Sequence, residues 1–428
     1  FFLLIELLIF LNSILKVKDL GVKKMVSKTI LIKPKTLSHT FIPPKLPTRE
    51  AERSELTENL LDFFTSEEAY TSWSLIGSVG IGKTVLSRRV GKDLQEQINQ
   101  FKLAYVNCRF SRRVYKVLVE LVSQIEPSIP PRGLSRDDIL NILLEILEEK
   151  GEKVLIILDE FDALFWESES RKARDLIYGL SRLVERRFGS PSKNVSLAVI
   201  AISRESELYK WLDRAARASF IRRELRLKPY NASDLFEILK YRADLAFLPG
   251  TVEEDSLELI ANQVAELENG NARIAIDILV EAGKLADKKG DGFLGPEHVR
   301  TVLSQHPMTP QIDPETLSSL GKHKLLIILA IVRALKATKK SFVTRTEMEE
   351  FYEILCDEYN ETPRKTTQIL RYLREIKSEL KGAIDIEVTG RGQRGRSSRI
   401  SITIPLDKLE NYLIKILEFT ARFERDLI

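Results

Sequence analysis

GSVGIGKT, residues 77–84, closes the apolar run WSLIG (73–77) and opens a periodic stretch over 84–99. Strand, glycine-rich turn, Lys-Thr and helix, in that order, make a phosphate-binding loop. Gly77, Gly80 and Gly82 let the backbone fold tightly enough for its N–H groups and the helix dipole to surround a β-phosphate. Lys83 neutralises phosphate charge and Thr84 offers its hydroxyl to Mg²⁺. Ser78, Val79, Ile81 and Val85 complete the candidate nucleotide-binding loop. Further along, VLIILDEFDAL (154–164) ends an apolar run with Asp159 and Glu160, where parallel strands face a ligand crevice. Asp159 is expected to hold Mg²⁺ through water and Glu160 to polarise an attacking water. Taken alone, the two would equally suit solvated carboxylates opening a helix, which the macrodipole welcomes.

Around this centre the chain divides. Its 428 residues correspond to about three domains at roughly 150 residues each, too many for one small binding module. With 43% apolar and 30% charged residues, the composition excludes a disordered chain and a polytopic membrane protein. Lys and Arg total 66 against 62 Asp and Glu, a surplus of 4, so any basic surface has to be local. Cys108 and Cys356 lie far apart and His39, His298, His306 and His323 are scattered. That spacing argues against a disulfide framework or zinc site and fits a reducing cytoplasm.

The runs at 73–77, 103–108, 154–160 and 197–203 read as buried strands between helical stretches at 84–99, 113–125 and 135–149. Such alternation implies an α/β fold, a parallel sheet with helices on both faces. From Asn231 to Ser304 only helical periodicity remains. Beyond QHPMTPQIDPET (305–316), three helices and two strands around a Gly/Arg-rich turn give the pattern of a winged helix. At the N-terminus, FFLLIELLIFLNSIL (1–15) is interrupted by Glu6 and is shorter than the roughly 20 residues a membrane span needs. Residues 1–24 read as a segment ahead of a start at Met25, or else as an apolar helix packed on a partner.

Four further stretches carry a resemblance, and with the loop at 77–84 and the Asp159-Glu160 pair they run in order from residue 41 to about 405. FIPPKLPTRE (41–50), LKPYNASDLFEILKYRAD (227–244), GNARIAIDIL (270–279) and VTGRGQRGRSSRISI (388–402) are similar to segments of AAA+ ATPases of the archaeal origin-recognition type, the Orc/Cdc replication initiators. The resemblance implies a tail over 1–40, an AAA+ P-loop base domain over 41–228, a small all-α lid over 229–308 and a C-terminal winged-helix domain over 318–428. It implies ATP or ADP with Mg²⁺ as ligands, Pro44 and Arg49 near the base or phosphates, and Tyr230 and Arg242 at nucleotide-contacting positions. Arg273 would reach the γ-phosphate as sensor two, serving catalysis with Lys83, Asp159 and Glu160. Periodicity alone leaves Arg273 as a surface arginine, and Tyr230 as a buried aromatic at a domain junction.

One position departs from the family: LAVIAIS (197–203) should end in a sensor-one asparagine, but Ser203-Arg204-Glu205 stands there, which implies slow hydrolysis. Arg214 and Arg217 are candidates for an arginine supplied to a neighbour's nucleotide, or plain surface cations.

Between Pro363 and Ile400 ten basic and four acidic residues leave an excess of six, more than the whole-chain surplus of four. A helix over 363–380, with Thr362-Pro363 as cap and first-turn proline, would present Lys365, Thr366 and Arg371 to a DNA major groove. Ile369, Leu370, Leu373 and Ile376 would face the core. Arg391, Arg394, Arg396 and Arg399 in the wing suit phosphates or a narrow minor groove. The resemblance adds a helical insertion within 108–138, with Arg112, Arg113 and Arg132 at phosphates, so that two domains would clamp one duplex. Its implied partners are double-stranded origin DNA, further initiator copies or paralogues and the replicative helicase, in the cytoplasm at the nucleoid and without a membrane. A regulatory NTPase of the STAND type is the rival class, disfavoured by Gly270-Asn271-Ala272-Arg273, and a DNA-binding regulator that only stores nucleotide is the other.

Overall fold

In a computed structural model of the chain, the described residues are 29–66, 68–128, 133–150, 152–165, 170–182, 196–204, 212, 217, 222–307, 314–388 and 398–426. Their contacts form two compact units: residues 35–243 with 257–278, and residues up to Pro34 with 244–256 and 279–428.

The first unit is built on a five-stranded sheet of β1 (Tyr70–Ile76), β2 (Phe101–Asn107), β3 (Lys153–Asp159), β4 (Ser196–Ser203) and β5 (Arg223–Arg226). Its order is β2-β3-β4-β1-β5, parallel at every pairing. The four apolar runs fall on β1 to β4; β1, β3 and β4 are covered on both faces, β1 and β4 being buried at every residue, while β2 is a partly buried edge strand. α1 (Glu50–Thr65), α2 (Lys83–Gln97), α3 (Val114–Ile125), α4 (Arg136–Lys150) and α5 (Ser170–Arg182) are the helices. α3 buries Val114, Val117, Leu118, Leu121, Val122 and Ile125, the spacing of one helical face. These join Val154, Ile156 and Leu158 of β3 and Leu197, Val199 and Ala201 of β4 in one core.

The order places β4 between β1 and β3. Ser203 therefore pairs in register with Ile76, the residue before the phosphate loop, while Asp159 ends the strand on the other side. β5 reads Arg-Glu-Leu-Arg and carries no apolar alternation. It is a strand because Trp73–Ile76 of β1 offer it an edge, and its charges discourage a further strand from adding.

α6 (Ala232–Ala246), α7 (Glu254–Leu267) and α8 (Ala272–Lys289) follow, with α9 (Pro296–Leu303) after them. The division between the two contact units passes through α6, α7 and α8.

The second unit ends in α10 (Pro314–Ser319), α11 (Lys322–Thr338), β6 (Phe342–Thr344), α12 (Arg345–Glu358), α13 (Thr366–Glu379), β7 (Ile384–Val388), β8 (Ser398–Ile402) and α14 (Leu406–Asp426). This is a winged helix whose sheet has three antiparallel strands, β6-β8-β7, rather than two. β6 is three residues long, and Thr344 is also the N-cap of α12, in a capping box with Glu347. α14 buries Leu406, Leu409, Leu413 and Leu417 in the same core. The expected cap of α13 at Thr362-Pro363 is corrected: Lys365 is the N-cap, and the Arg364 N–H donates to the Tyr352 hydroxyl at 3.4 Å, which holds 362–365 off the helix.

Arg300 on α9 is only 1% exposed. Its Nε donates to the Ile402 carbonyl at 2.9 Å, and its Nη2 to those of Lys340 and Ser341 at 3.2 and 3.3 Å. Asp255 accepts from the N–H and the hydroxyl of Ser341, both at 2.9 Å. Arg300→Ala would strand these carbonyls and should cost about 3 kcal/mol or more, since each buried unsatisfied group costs roughly 1–3 kcal/mol. The urea midpoint of the full chain reads this, and an unchanged midpoint would mean that water replaces the guanidinium.

Candidate functional site

The phosphate loop bends through three positive backbone angles, φ 152° at Gly77, 79° at Gly80 and 89° at Gly82. All three are also required by crowding, Gly77 because a side chain there would come within 2.8 Å of the Leu227 carbonyl. A side chain at Gly82 would come within 2.5 Å of the Tyr230 hydroxyl, and one at Gly80 would overlap the Asn271 carboxamide. The Lys83 ammonium donates to the carbonyls of Gly77 and Ser78 at 2.7 and 2.6 Å. Burial pulls its pKa down to about 8, against the upward pull of Asp159 and Asp162.

Two strand ends supply the carboxylates. Asp159 is buried, and its Oδ2 accepts from the Thr84 hydroxyl at 2.9 Å and from the Tyr105 hydroxyl at 2.7 Å. Glu160 has φ 49° and donates its backbone N–H to Asp159 Oδ1 at 2.9 Å. Its carboxylate accepts from Asn107 Nδ2 at 3.4 Å and Arg109 Nη1 at 3.3 Å. Thr84 and Asp159 bring hard oxygens to one point, the donor set a Mg²⁺ ion takes alongside phosphate and water. The residues therefore fit the metal that the motif implies.

These groups open on a cavity of about 230 Å³ within the first unit. Of the predicted residues, Val79, Gly80, Gly82, Lys83, Thr84, Val85, Asp159, Glu160, Tyr230, Arg242 and Arg273 line it. Gly77, Ser78, Ile81, Pro44 and Arg49 are not on its wall; Pro43, Lys45 and Leu46 are. Arg49 is instead buried beside the site, its guanidinium 4.4 Å from the Tyr230 ring centre, bonded to Glu52 at 2.7 Å and to the Lys228 carbonyl. It props the tyrosine that faces the loop. Arg242 is buried, donates to the Thr36 carbonyl at 2.5 Å and lies over Phe41. Arg273 is exposed on the first turn of α8, beside the Ala272 N–H that donates to the Gly80 carbonyl at 3.1 Å.

Sequence reading passed over Tyr105, Asn107, Arg109 and Asn271. The first two sit two residues apart near the end of β2, a period-2 polar signature on one face of the strand. Asn271 carried no signal beyond its place in the GNAR segment.

Matches to known families cover most of the chain: residues 68–212 match the AAA domain, 236–304 the Cdc6 AAA+ ATPase-type lid domain, and 315–412 the CDC6 C-terminal winged helix domain. ORC1-type DNA replication protein 2 of Saccharolobus solfataricus is 33% identical over 410 residues, 93% of this chain and 97% of that protein. This chain belongs to the ORC1/Cdc6-type family of archaeal replication initiators. The Sulfolobus acidocaldarius protein of the same name is 30% identical over 96% of this chain and 99% of its own length. Among solved structures, Cdc6p from Pyrobaculum aerophilum superposes with a TM-score of 0.74 at 28% identity, covering 91% of this chain and 99% of that one. The Aeropyrum pernix ORC1 protein in complex with DNA gives 0.57 at 26% identity, over 92% and 99%.

The ORC1/Cdc6-type winged helix of this chain places Lys365, Thr366 and Arg371 exposed on α13, with Ile369, Leu373 and Ile376 buried and Leu370 half-buried. Arg371 pairs with Glu375 at 3.2 Å. Arg399 is half-buried on β8, its guanidinium 4.2 Å from the Phe342 ring centre. In the other unit, Arg112 and Arg113 are exposed just ahead of α3, Arg113 as its N-cap. Arg217 donates its Nε to the Leu212 carbonyl at 3.0 Å. Arg132, Arg214, Arg391, Arg394 and Arg396 lie outside the described residues, as do residues 1–28. Among the described residues no helix is long and apolar enough to cross a membrane, and no His/Cys/Asp/Glu group forms a further metal site.

Lys83→Ala should abolish nucleotide binding, and unchanged ATP affinity would remove the lysine from the site. Because the ammonium loses its proton as pH rises through about 8, phosphate affinity should be full below that pH and weaken above it. Titrations of ADP at pH 6.5 to 9.5 test this, with Lys83→Arg expected to flatten the profile.

Proposed function

We propose that this chain is an ATP-dependent initiator that binds origin duplex DNA, with ATP or ADP setting its conformation. The observation that carries the reading is one cavity on which Lys83, Thr84, Asp159, Glu160 and Arg273 meet Tyr230 and Arg242. Cations and phosphate-loop amides suit the polyphosphate, Thr84 and Asp159 suit Mg²⁺, and the wall of Leu46, Ile238 and Ile276 suits an adenine. Glu160 would orient the attacking water. Ser203 at the sensor-one position supports slow turnover, with nucleotide acting chiefly as a conformational ligand.

The exposed Lys365, Thr366 and Arg371 support docking of α13 in the major groove, with the arginines of the β7–β8 turn at the backbone or minor groove. Arg112 and Arg113 support a second contact, from the ATPase side. Other initiator copies or paralogues and the replicative helicase are the protein partners of this reading, and the nucleoid its place in the cytoplasm. Arg214 and Arg217 remain the candidates for an arginine reaching a neighbour's nucleotide.

The test compares origin fragments with random duplex at near-physiological salt, with ADP and with ATP. An origin preference of about a thousandfold or more is expected of specific recognition, whereas equal, steeply salt-sensitive binding would reduce the basic surface to an electrostatic handle. Lys365→Ala with Arg371→Ala should weaken binding and flatten the salt slope by about one per lost phosphate contact. An unaltered slope would place α13 outside the interface.

A further inference from the structure

The turn that delivers α13 is held from beneath by two buried rings. Glu361 closes α12, its N–H donating to the Cys356 carbonyl at 2.8 Å, and three residues later the Arg364 N–H donates to the Tyr352 hydroxyl at 3.4 Å. The same hydroxyl lies 2.8 Å from Nδ1 of His323, on the first turn of α11. Tyr352 is 0% and His323 8% exposed. A phenol that accepts from Arg364 has its own hydrogen left for Nδ1, so the network assigns the neutral imidazole with its proton on Nε2. Nε2 stands 3.3 Å from a Glu361 oxygen, on a carboxylate already paired with Lys322 at 2.8 Å. The ionisable groups around the ring are thus Lys322 of its own helix, Tyr352 and Cys356 of α12, and Glu361 and Arg364 of the turn. Burial, then Arg364 and Lys322, hold the imidazole below the ordinary histidine value against the pull of Glu361.

We propose that His323, acting through Tyr352, is a proton-sensitive positioning residue for α13, so that duplex affinity falls when its imidazole takes a second proton. On Nδ1 that proton turns the acceptor of the relay into a donor. The phenolic oxygen then faces two donors, Nδ1–H and the Arg364 N–H, and its own hydrogen has to turn away, toward the neighbouring Cys356 thiol. The hold on Arg364 weakens, and with it the placement of the α13 N-terminus, where Lys365 and Thr366 are exposed. By linkage, a histidine held below its ordinary value of about 6.5 contributes fully above that pH, and the contribution is lost as pH falls through the lowered value. The inference rests on the reading that α13 docks on DNA. The competing account makes His323 a filler of the core, whose replacement would change binding equally at every pH.

The experiment measures affinity of the full chain for a fluorescent random-sequence duplex from about pH 5 to pH 8 at constant ionic strength, in wild type, His323→Asn and Tyr352→Phe. Asparagine offers an oxygen near the place of Nδ1 and does not titrate; phenylalanine keeps the ring and removes the hydroxyl. The ratio of wild-type to variant affinity at each pH cancels the titration of other groups. Between pH 8 and pH 5 that ratio should fall by about threefold to tenfold against both variants, as loss of one hydrogen bond requires. A ratio constant within about twofold against either variant would overturn the proposal. Should asparagine prevent folding, Tyr352→Phe carries the same comparison. Lys365→Ala with Arg371→Ala separates the two readings: unaltered binding would remove α13 from the interface and this inference with it, whereas weakened binding beside a constant ratio would overturn the proton-sensitive role and leave α13 on the DNA.

Discussion

One backbone hydrogen bond organises the site: the Ala272 N–H, at the start of α8, donates to the carbonyl of Gly80 in the middle of the phosphate loop at 3.1 Å. The loop is thus a shared surface. Its concave side is shaped for phosphate, and its other contacts are with Asn271 and Tyr230 of the lid, so close that neither Gly80 nor Gly82 could carry a side chain. Gly270 obeys the same limit, with φ 71° and a Cβ that would overlap the Tyr230 carbonyl. Glycines near a phosphate are usually explained by the ligand alone. Here a second chain segment makes the same demand, so the loop's conformation and the position of Arg273 are set together.

The electrostatics follow from that packing. Lys83, Arg109, Arg204 and Arg273 face a cavity that also holds Asp159, Glu160 and Asp162. Thr84 and Tyr105 both bond Asp159, and Asn107 and Arg109 both bond Glu160, so each carboxylate has its orientation fixed by residues of a neighbouring strand or helix. The two adjacent acids are thus held by different partners. Tyr105 and Asn107 contribute by holding acids in place.

Much of this was legible from residue order, and the reasons differ by element. β1, β3 and β4 announced themselves because strands covered on both faces have to be apolar throughout. β5 did not, since Arg-Glu-Leu-Arg becomes a strand only through the edge that β1 offers it. The phosphate loop and Asp159-Glu160 were readable because local chemistry fixes their spacing. Arg49, expected near the base or phosphates, lies beside Tyr230, which lines the cavity, and similarity in sequence does not fix which side of an aromatic ring an arginine takes. The start of α13 moved from Pro363 to Thr366 for a tertiary reason, the reach of the Tyr352 hydroxyl to Arg364, which no helix-start rule contains.

The lead ahead of α1 carries a consequence for biosynthesis. The Thr36 carbonyl receives its hydrogen bond from Arg242, 206 residues later, and the Lys45 N–H donates to the hydroxyl of Tyr241, 196 residues later. At roughly 5–20 residues per second, a ribosome needs about 10–40 s to bridge such a gap. Until then the strip bearing Ser38, His39, Lys45 and Leu46 lacks its α6 partners. That stretch of wall, early in the chain, is therefore completed late. A nascent chain with a finished phosphate loop still has no complete pocket until α8, which supplies Ala272, Arg273 and Ile276, has been translated.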